Sequence, residues 1–297
     1  RLWTANSRVV GGDMYTKIGN GGYALGARSK QIKNRLFNQE KFDEQSLLNI
    51  GLDDEALFLR RWQQFILRDV LTEHVVAQNK SFQQVKELLE SDIELRASTD
   101  SVSYRLVRNF RINIRDSVFS ELKNTLSNVD KAFSFKSIRH QIEVPLWQLI
   151  NEQPDNFLML RENSWQEVFI KALEVTIADM TSNQNLDEAT WGQQNHSVIK
   201  HPLSNALPFL NRWLDMPGKA LAGDSYMPRV QGKSFGASER MVVSPGHEES
   251  GIFHMPTSQS GHPWSPYYGK GHSDWENGIT SPFLPGKTRY KLTLLSY

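Results

Sequence analysis

The chain of 297 residues contains no cysteine. That excludes thiolate catalysis, disulfides and cysteine-based metal sites. It leaves the compartment open, because cysteine-free chains occur everywhere. An excess of one charge is also missing. The 34 basic and 33 acidic residues give a formal net charge of +1, so nothing in the balance points to nucleic acid or an anionic membrane. No apolar run approaches the roughly 20 residues of a membrane span. Nor does the chain open on methionine. Arg1-Leu2-Trp3-Thr4-Ala5 reads as the middle of a folded segment, and the expectation is a fragment or processed product whose start lies elsewhere. What is present is ordinary for a globular protein: 39% hydrophobic and 23% charged residues, which argues against wholesale disorder. The length allows one large domain or two ordinary ones.

Along the chain, residues 1–27 are rich in glycine and polar residues and read as strand ends and loop. A helical pattern begins at Arg28. Asp53 to about Ala77 reads as a strong helix, with Asp53, Asp54 and Glu55 favouring its N-terminus and Leu59, Trp62, Ile66 and Val70 on one face. Further helices are expected over 81–91, over a stretch with Val102, Leu106, Phe110, Ile114 and Val118 inward, and over 164–180. Ser81 is a candidate cap for the first of these; Ser164 with Glu167 resembles a capping box for the last. Beyond about residue 181, Gly, Pro, Ser, Asn and His become common. Short β-type runs follow at 239–243, 251–255 and 290–295, separated by turn signals. The layout is therefore 1–30 loop and strand ends, 31–180 mainly helical, and 181–297 a loop- and β-rich tail. A helical block between strand-forming ends suggests one discontinuous α+β domain, with the tail strands pairing outside this sequence.

Candidate chemistry must be weighed against blander readings. The glycines at 19, 21, 22 and 26 lack both the GxGxxG spacing and a Lys-Ser/Thr ending, so a flexible turn is the better reading. His247, His254, His262 and His272, with Glu248 and Glu249, invite a metal-dependent hydrolase, but no helical HExxH spacing is present. No GxSxG nucleophile elbow exists. The aromatics Trp62, Phe65, Phe110, Trp165 and Phe169 read as core.

An ordered set of short motifs carries a more specific signal. The tail has Ser238 and Arg240, then Gln259-Ser260-Gly261, His262-Pro263-Trp264-Ser265-Pro266, Asp274-Trp275 and Gly278. Upstream lie Trp191-Gly192, His201-Pro202-Leu203, Leu207-Pro208 and Gly223-Asp224. The beginning has Trp3-Thr4-Ala5-Asn6 and Gly26-Ala27-Arg28. In this order they resemble the C-terminal part of the serine chain of the penicillin-acylase family of N-terminal-nucleophile hydrolases, a family that includes acyl-homoserine-lactone acylases.

That resemblance implies a four-layer αββα sandwich with a large helical insertion, of which this chain is one part. It implies a precursor that cuts itself in two, the second chain beginning with a nucleophilic Ser whose own α-amino group acts as base. The chain given begins with Arg1, so the nucleophile is expected elsewhere and the chain alone is expected to be inactive. Asn6 is implied as a side-chain amide donor to the oxyanion; the blander alternative is a turn Asn bonded to its own backbone. Arg28 matches an active-site Arg that would orient Asn6 or the nucleophile's amino end; the alternative is a surface or salt-bridged Arg. No cofactor is implied for catalysis. A structural calcium is implied in some relatives, with Asp13 as a candidate oxygen ligand here, although Lys17 stands where some relatives have a further carboxylate. The implied partners are the N-terminal remainder of the same precursor and a small N-acyl amide, from penicillins to acyl-homoserine lactones, in the periplasm or outside the cell. A catalytically silent structural or binding relative is the competing reading.

Overall fold

The computed structural model describes residues 1–134, 141–157 and 164–295. Its core is helical. Helices α1 (Gly12–Ile18), α2 (Ala27–Phe37) and α3 (Glu44–Gly51) lead into α4 (Arg60–Phe65), which widens into a π-helical turn over Ile66–Val70. After α5 (Glu73–Gln78) and α6 (Lys80–Ser91) comes the long α7 (Val102–Val118). Helices α8 (Ser120–Val129), α9 (Glu143–Glu152) and α10 (Trp165–Thr181) complete the body. The Ser101 side chain caps α7 by accepting from the Tyr104 amide, and Ser164 caps α10 by accepting from the Glu167 amide. Each satisfies an orphan donor of the first turn.

Helices α7 and α10 pack along their length because both present apolar residues at helical spacing. Val102, Leu106, Phe110, Ile114 and Val118 of α7 are buried, as are Trp165, Val168, Phe169, Ala172 and Leu173 of α10. Trp62 and Phe65 of α4 meet Phe110, Phe169 and Trp147 edge-on or tilted, at centroid distances of 5.0–6.5 Å. The aromatic stripe is core, as its spacing predicts. Asn113 crosses the same interface and donates to the Thr176 hydroxyl at 2.8 Å.

Three sequence expectations need correction. Residues 12–18 form a helix where loop and strand ends were expected; Gly12 takes φ +52°, which starts the turn without a side-chain clash. No continuous helix runs from Asp53 to Ala77. Residues 54–56 instead pair with 95–97, with Ala56 N–H on Leu95 O and Ala97 N–H on Asp54 O. The carboxylates of Asp53, Asp54 and Glu55 serve arginines rather than a helix dipole. The cap of α6 is Asn79, which accepts from the Ser81 amide. The apolar face nonetheless holds, since Leu59, Trp62, Ile66 and Val70 are all buried.

The tail wraps the body with short helices α11 (Trp191–Gln194), α12 (Pro202–Ala206), α13 (Asn211–Leu214) and α14 (His272–Asn277), and one antiparallel pair, β1 (Arg240–Val242) and β2 (Ile252–His254). Arg240 lies opposite His254 and Val242 opposite Ile252. The third β-type run, 290–295, makes no ladder among the described residues; Tyr290, Leu292 and Leu294 are 85% or more exposed. The described residues are thus mixed helix and strand, with helix dominant.

Buried carboxylates hold these parts together. Glu143 at the start of α9 accepts from Arg61 and from Trp62 Nε1 (3.1 Å) and Arg111 Nε (2.9 Å). Asp224 accepts from the Tyr104 hydroxyl at 2.8 Å and from Arg108, fixing the tail loop to α7. Burial pushes the Tyr104 hydroxyl well above the usual phenol range, so it stays a donor to Asp224. Gly223, next to it, cannot be replaced freely: its φ is +86° and a Cβ would lie 2.0 Å from the Arg229 carbonyl oxygen. Removing one partner of a buried charge group leaves the others uncompensated. Glu143→Ala is therefore expected to lower unfolding free energy by about 3–5 kcal/mol in urea titrations. A loss under about 1 kcal/mol would show that this carboxylate is not structural.

Candidate active site

The chain enters the site as an extended segment and leaves through α2. Ala24 N–H bonds the Asn6 carbonyl at 2.9 Å, and Ser7 bridges Ala24 in parallel. This brings residue 6 beside the N-terminal turn of α2, where Arg28 sits. Arg28 Nη2 donates to the Ala5 carbonyl at 3.0 Å and to Asn6 Oδ1 at 2.7 Å. The two sequence candidates, 22 residues apart, are in direct contact.

The contact fixes how Asn6 is turned. A guanidinium has donors only, so the oxygen of the Asn6 amide must face it. The NH₂ group then points away, and no described residue takes up Asn6 Nδ2. The backbone adds a second constraint. Asn6 has φ +60°, in the left-handed region that asparagine tolerates better than other branched or bulky residues. The amide at this left-handed position is exposed. Arg28 is half-buried, and burial lowers its pKa from the ordinary guanidinium value while leaving it charged at neutral pH.

Helix α2 itself is unusual in how it is docked. Gln31 is its only buried residue. Gln31 Nε2 donates to Asp53 Oδ2 at 2.8 Å and to the Glu55 carbonyl at 3.0 Å. Arg35 Nε reaches the same Asp53 oxygen at 2.7 Å, and its Nη2 pairs with Glu55. Hydrogen bonding to Asp53 raises the Arg35 pKa. At the other end of the helix, Arg1 donates to the Leu36 carbonyl and Trp3 packs edge-on against Phe37. Sequence reading missed Gln31, Arg35 and Asp53 as a group. The signal was there: positions 28, 31 and 35 share one helix face.

The first 37 residues hold seven basic side chains against the single Asp13. Arg8, two residues from Asn6, lies over the Tyr15 ring at 4.9 Å. Asp13 is exposed in the first turn of α1, with Lys17 one turn on along the same face. Among the described residues no three or more His, Cys, Asp or Glu side chains converge as a cation cage would need.

The tail histidines do other work. His262 Nδ1 accepts from the Trp264 amide at 3.2 Å and so closes its turn. His272 Nδ1 lies 2.5 Å from the Pro256 carbonyl and its Nε2 lies 2.9 Å from Glu276. His254, opposite the buried Arg240, donates Nε2–H to the Ile279 carbonyl at 2.7 Å. Arg240 itself is lowered to a pKa of about 10 by burial and by Arg229.

The family model for penicillin amidase matches residues 1–290. The chain belongs to the penicillin amidase family. Within it, the chain is similar to the penicillin acylase 2 proenzyme of Pseudomonas sp. (strain SE83), at 28% identity over 138 residues. That match covers 44% of this chain and 17% of the relative, so the chain spans only a part of the relative's length. Among the described residues no helix is long and apolar enough to cross a membrane.

His254 also gives a pH dependence. Burial is the main cause that lowers its pKa below the ordinary imidazole value. A base whose folded pKa is depressed binds fewer protons folded than unfolded, so stability is complete above the unfolded value of about 6.5 and falls as pH drops below it. The urea midpoint is expected to fall between about pH 7.5 and 5.5, and His254→Gln to flatten that slope. An equal slope in the variant would assign the titration to another group.

Proposed function

We propose that this chain is part of an N-terminal-nucleophile amidase that cleaves the amide bond of N-acyl compounds, with Asn6 as an oxyanion donor and Arg28 as the residue that aims it. The observation that carries this reading is the Asn6 amide: its oxygen is held by Arg28 at 2.7 Å and its N–H₂ faces away, on a backbone at φ +60°. The nucleophile is an N-terminal Ser supplied by the rest of the protein. Its hydroxyl passes its proton to the Ser α-amino group as the oxygen attacks the amide carbon, and the negative charge moves to the carbonyl oxygen. Asn6 Nδ2–H bonds that oxygen, and a fixed donor at such a point acts on the transition state more than on the ground state. The amine then leaves with a proton from the Ser α-amino group. Water adds to the acyl ester and releases the acid, restoring the Ser hydroxyl.

The family's αββα sandwich is the frame into which these pieces fit. The exposed run 290–295 and the apolar Leu2 and Val9 are surfaces that the remaining strands of such a sandwich would cover. The processed precursor is supported by the word proenzyme in the name of the relative. An exported location, in the periplasm or outside the cell, is part of the same proposal. A structural calcium would take its ligands mainly from other parts of the protein, since Asp13 stands alone.

Purification of the protein from its full-length gene, followed by intact-mass analysis, is expected to show two chains. The larger should begin with Ser and contain this sequence. A single uncut chain would favour the silent relative. In the cut enzyme, Asn6→Ala is expected to lower kcat by about 10²–10³-fold with KM little changed, screened on penicillins and N-acyl-homoserine lactones. Unchanged kcat would remove Asn6 from the oxyanion site.

A further inference from the structure

Helix α2 carries Arg28 at its start yet fully buries no apolar side chain, Ile32 and Leu36 being half-buried. Its one buried residue is Gln31, 2% exposed. What holds the helix to the body is a polar clasp: Gln31 and Arg35 both donate to Asp53 Oδ2, at 2.8 and 2.7 Å. Gln31 also donates to the Glu55 backbone, and Arg35 pairs with the Glu55 carboxylate. Asp53 in turn takes the Glu55 amide at 3.1 Å, so the acceptor is itself fixed. Residues 28, 31 and 35 lie on one face, and the clasp and the Arg28–Asn6 contact are therefore successive turns of one stripe.

We infer that Gln31, Arg35 and Asp53 are positioning residues for the Asn6 donor, acting through α2 and Arg28. The inference rests on the proposed role of Asn6. The geometry gives the clasp leverage. Arg28 stands about 10 Å along the helix axis from Arg35. A tilt of about 6° at the clasp displaces Arg28 by about 1 Å, and a misplacement of that size at a reacting centre costs up to about 10²-fold in rate. A hydrophobic dock would tolerate small slides, because apolar contact is non-directional. Charge-assisted hydrogen bonds to one carboxylate oxygen fix direction as well as distance. The segment 1–7 is tied to α2 at both ends, through Arg1 and Leu36 and through Arg28 and Asn6. Helix and segment move as a unit on the clasp, so an error at Asp53 reaches the left-handed Asn6 backbone directly.

The test is a double-mutant cycle in the full-length processed enzyme. Gln31→Leu keeps size and helix propensity and removes the donor. It is expected to lower kcat about tenfold with KM within about twofold. In an Arg28→Ala background the same change is expected to cost almost nothing further in kcat, because the aimed group is already gone. A merely structural role would give the same fold-change in both backgrounds, and that result overturns the inference. Asp53→Asn is the second variant, should Gln31→Leu not fold, with the same expected non-additivity. A crystal structure of either variant supplies a readout independent of turnover: the Arg28–Asn6 contact should be lengthened or lost, and its retention at 2.7 Å overturns the inference whatever the activity. If Asn6→Ala and Arg28→Ala leave kcat unchanged while the clasp variants disturb the contact, the proposed function fails and the positioning of Asn6 stands. If Asn6→Ala and Arg28→Ala abolish turnover and the clasp variants do not, the positioning fails alone.

Discussion

A carboxylate removed from water must find donors for its oxygens, and this requirement organises the molecule at three levels. Glu143 draws in Arg61, Arg111 and the Trp62 indole, and so joins α4, α7 and α9. Asp224 draws in Tyr104 and Arg108, and so fastens the tail to α7. Asp53 draws in Gln31 and Arg35, and so fastens the helix that bears Arg28. The hydrophobic cluster built on α4, α6, α7, α9 and α10 supplies the apolar burial. The carboxylates decide where the peripheral pieces sit on it, because ion pairs and hydrogen bonds have direction and apolar contact does not.

The helical core was legible in the sequence. The residues spaced for an inward face on α7 and α10 are buried, joined on α7 by Ser103, Tyr104, Val107 and Arg111, and both Ser164 and the aromatic stripe take the roles their positions imply. The run Asp53-Asp54-Glu55 was not legible. Acids ahead of an apolar face are a sound helix-start signal, but here each serves an arginine distant in sequence: Arg35, Arg96 or Arg229. Periodicity is local, and an ion-pair hub is set by partners that only the fold brings near. The same reason hides Asn79, whose cap depends on a break after α5.

The candidate site was legible in a different way. Nothing in the period or composition of residues 1–30 singles out Asn6 or Arg28. The family resemblance named both, and the structure places them in contact. What the resemblance did not supply was the support beneath them. Gln31 looks like an ordinary surface glutamine on a polar helix until Asp53 is seen beside it. Local polarity and tertiary burial disagree at this residue, and such disagreement is expected where a function needs a fixed geometry.

The exposure of Asn6 bears on how much its amide can do. In the oxyanion role proposed for it, a donor open to water competes with water for the developing charge, and its effect shrinks as the local dielectric rises. The geometry of the pair is set within this chain: Arg28 fixes the amide's orientation, and Asp53 fixes Arg28's helix. The dielectric is not, since Asn6 is exposed and the nearby Leu2 and Val9 are 97% and 69% exposed. Aim and dryness are thus separable requirements, met by different surfaces. A cover laid over the apolar residues of the first segment would exclude water from Asn6 without touching the clasp that aims it. It would strengthen the interaction in place, and a donor preset in this way needs no reorganisation when charge develops.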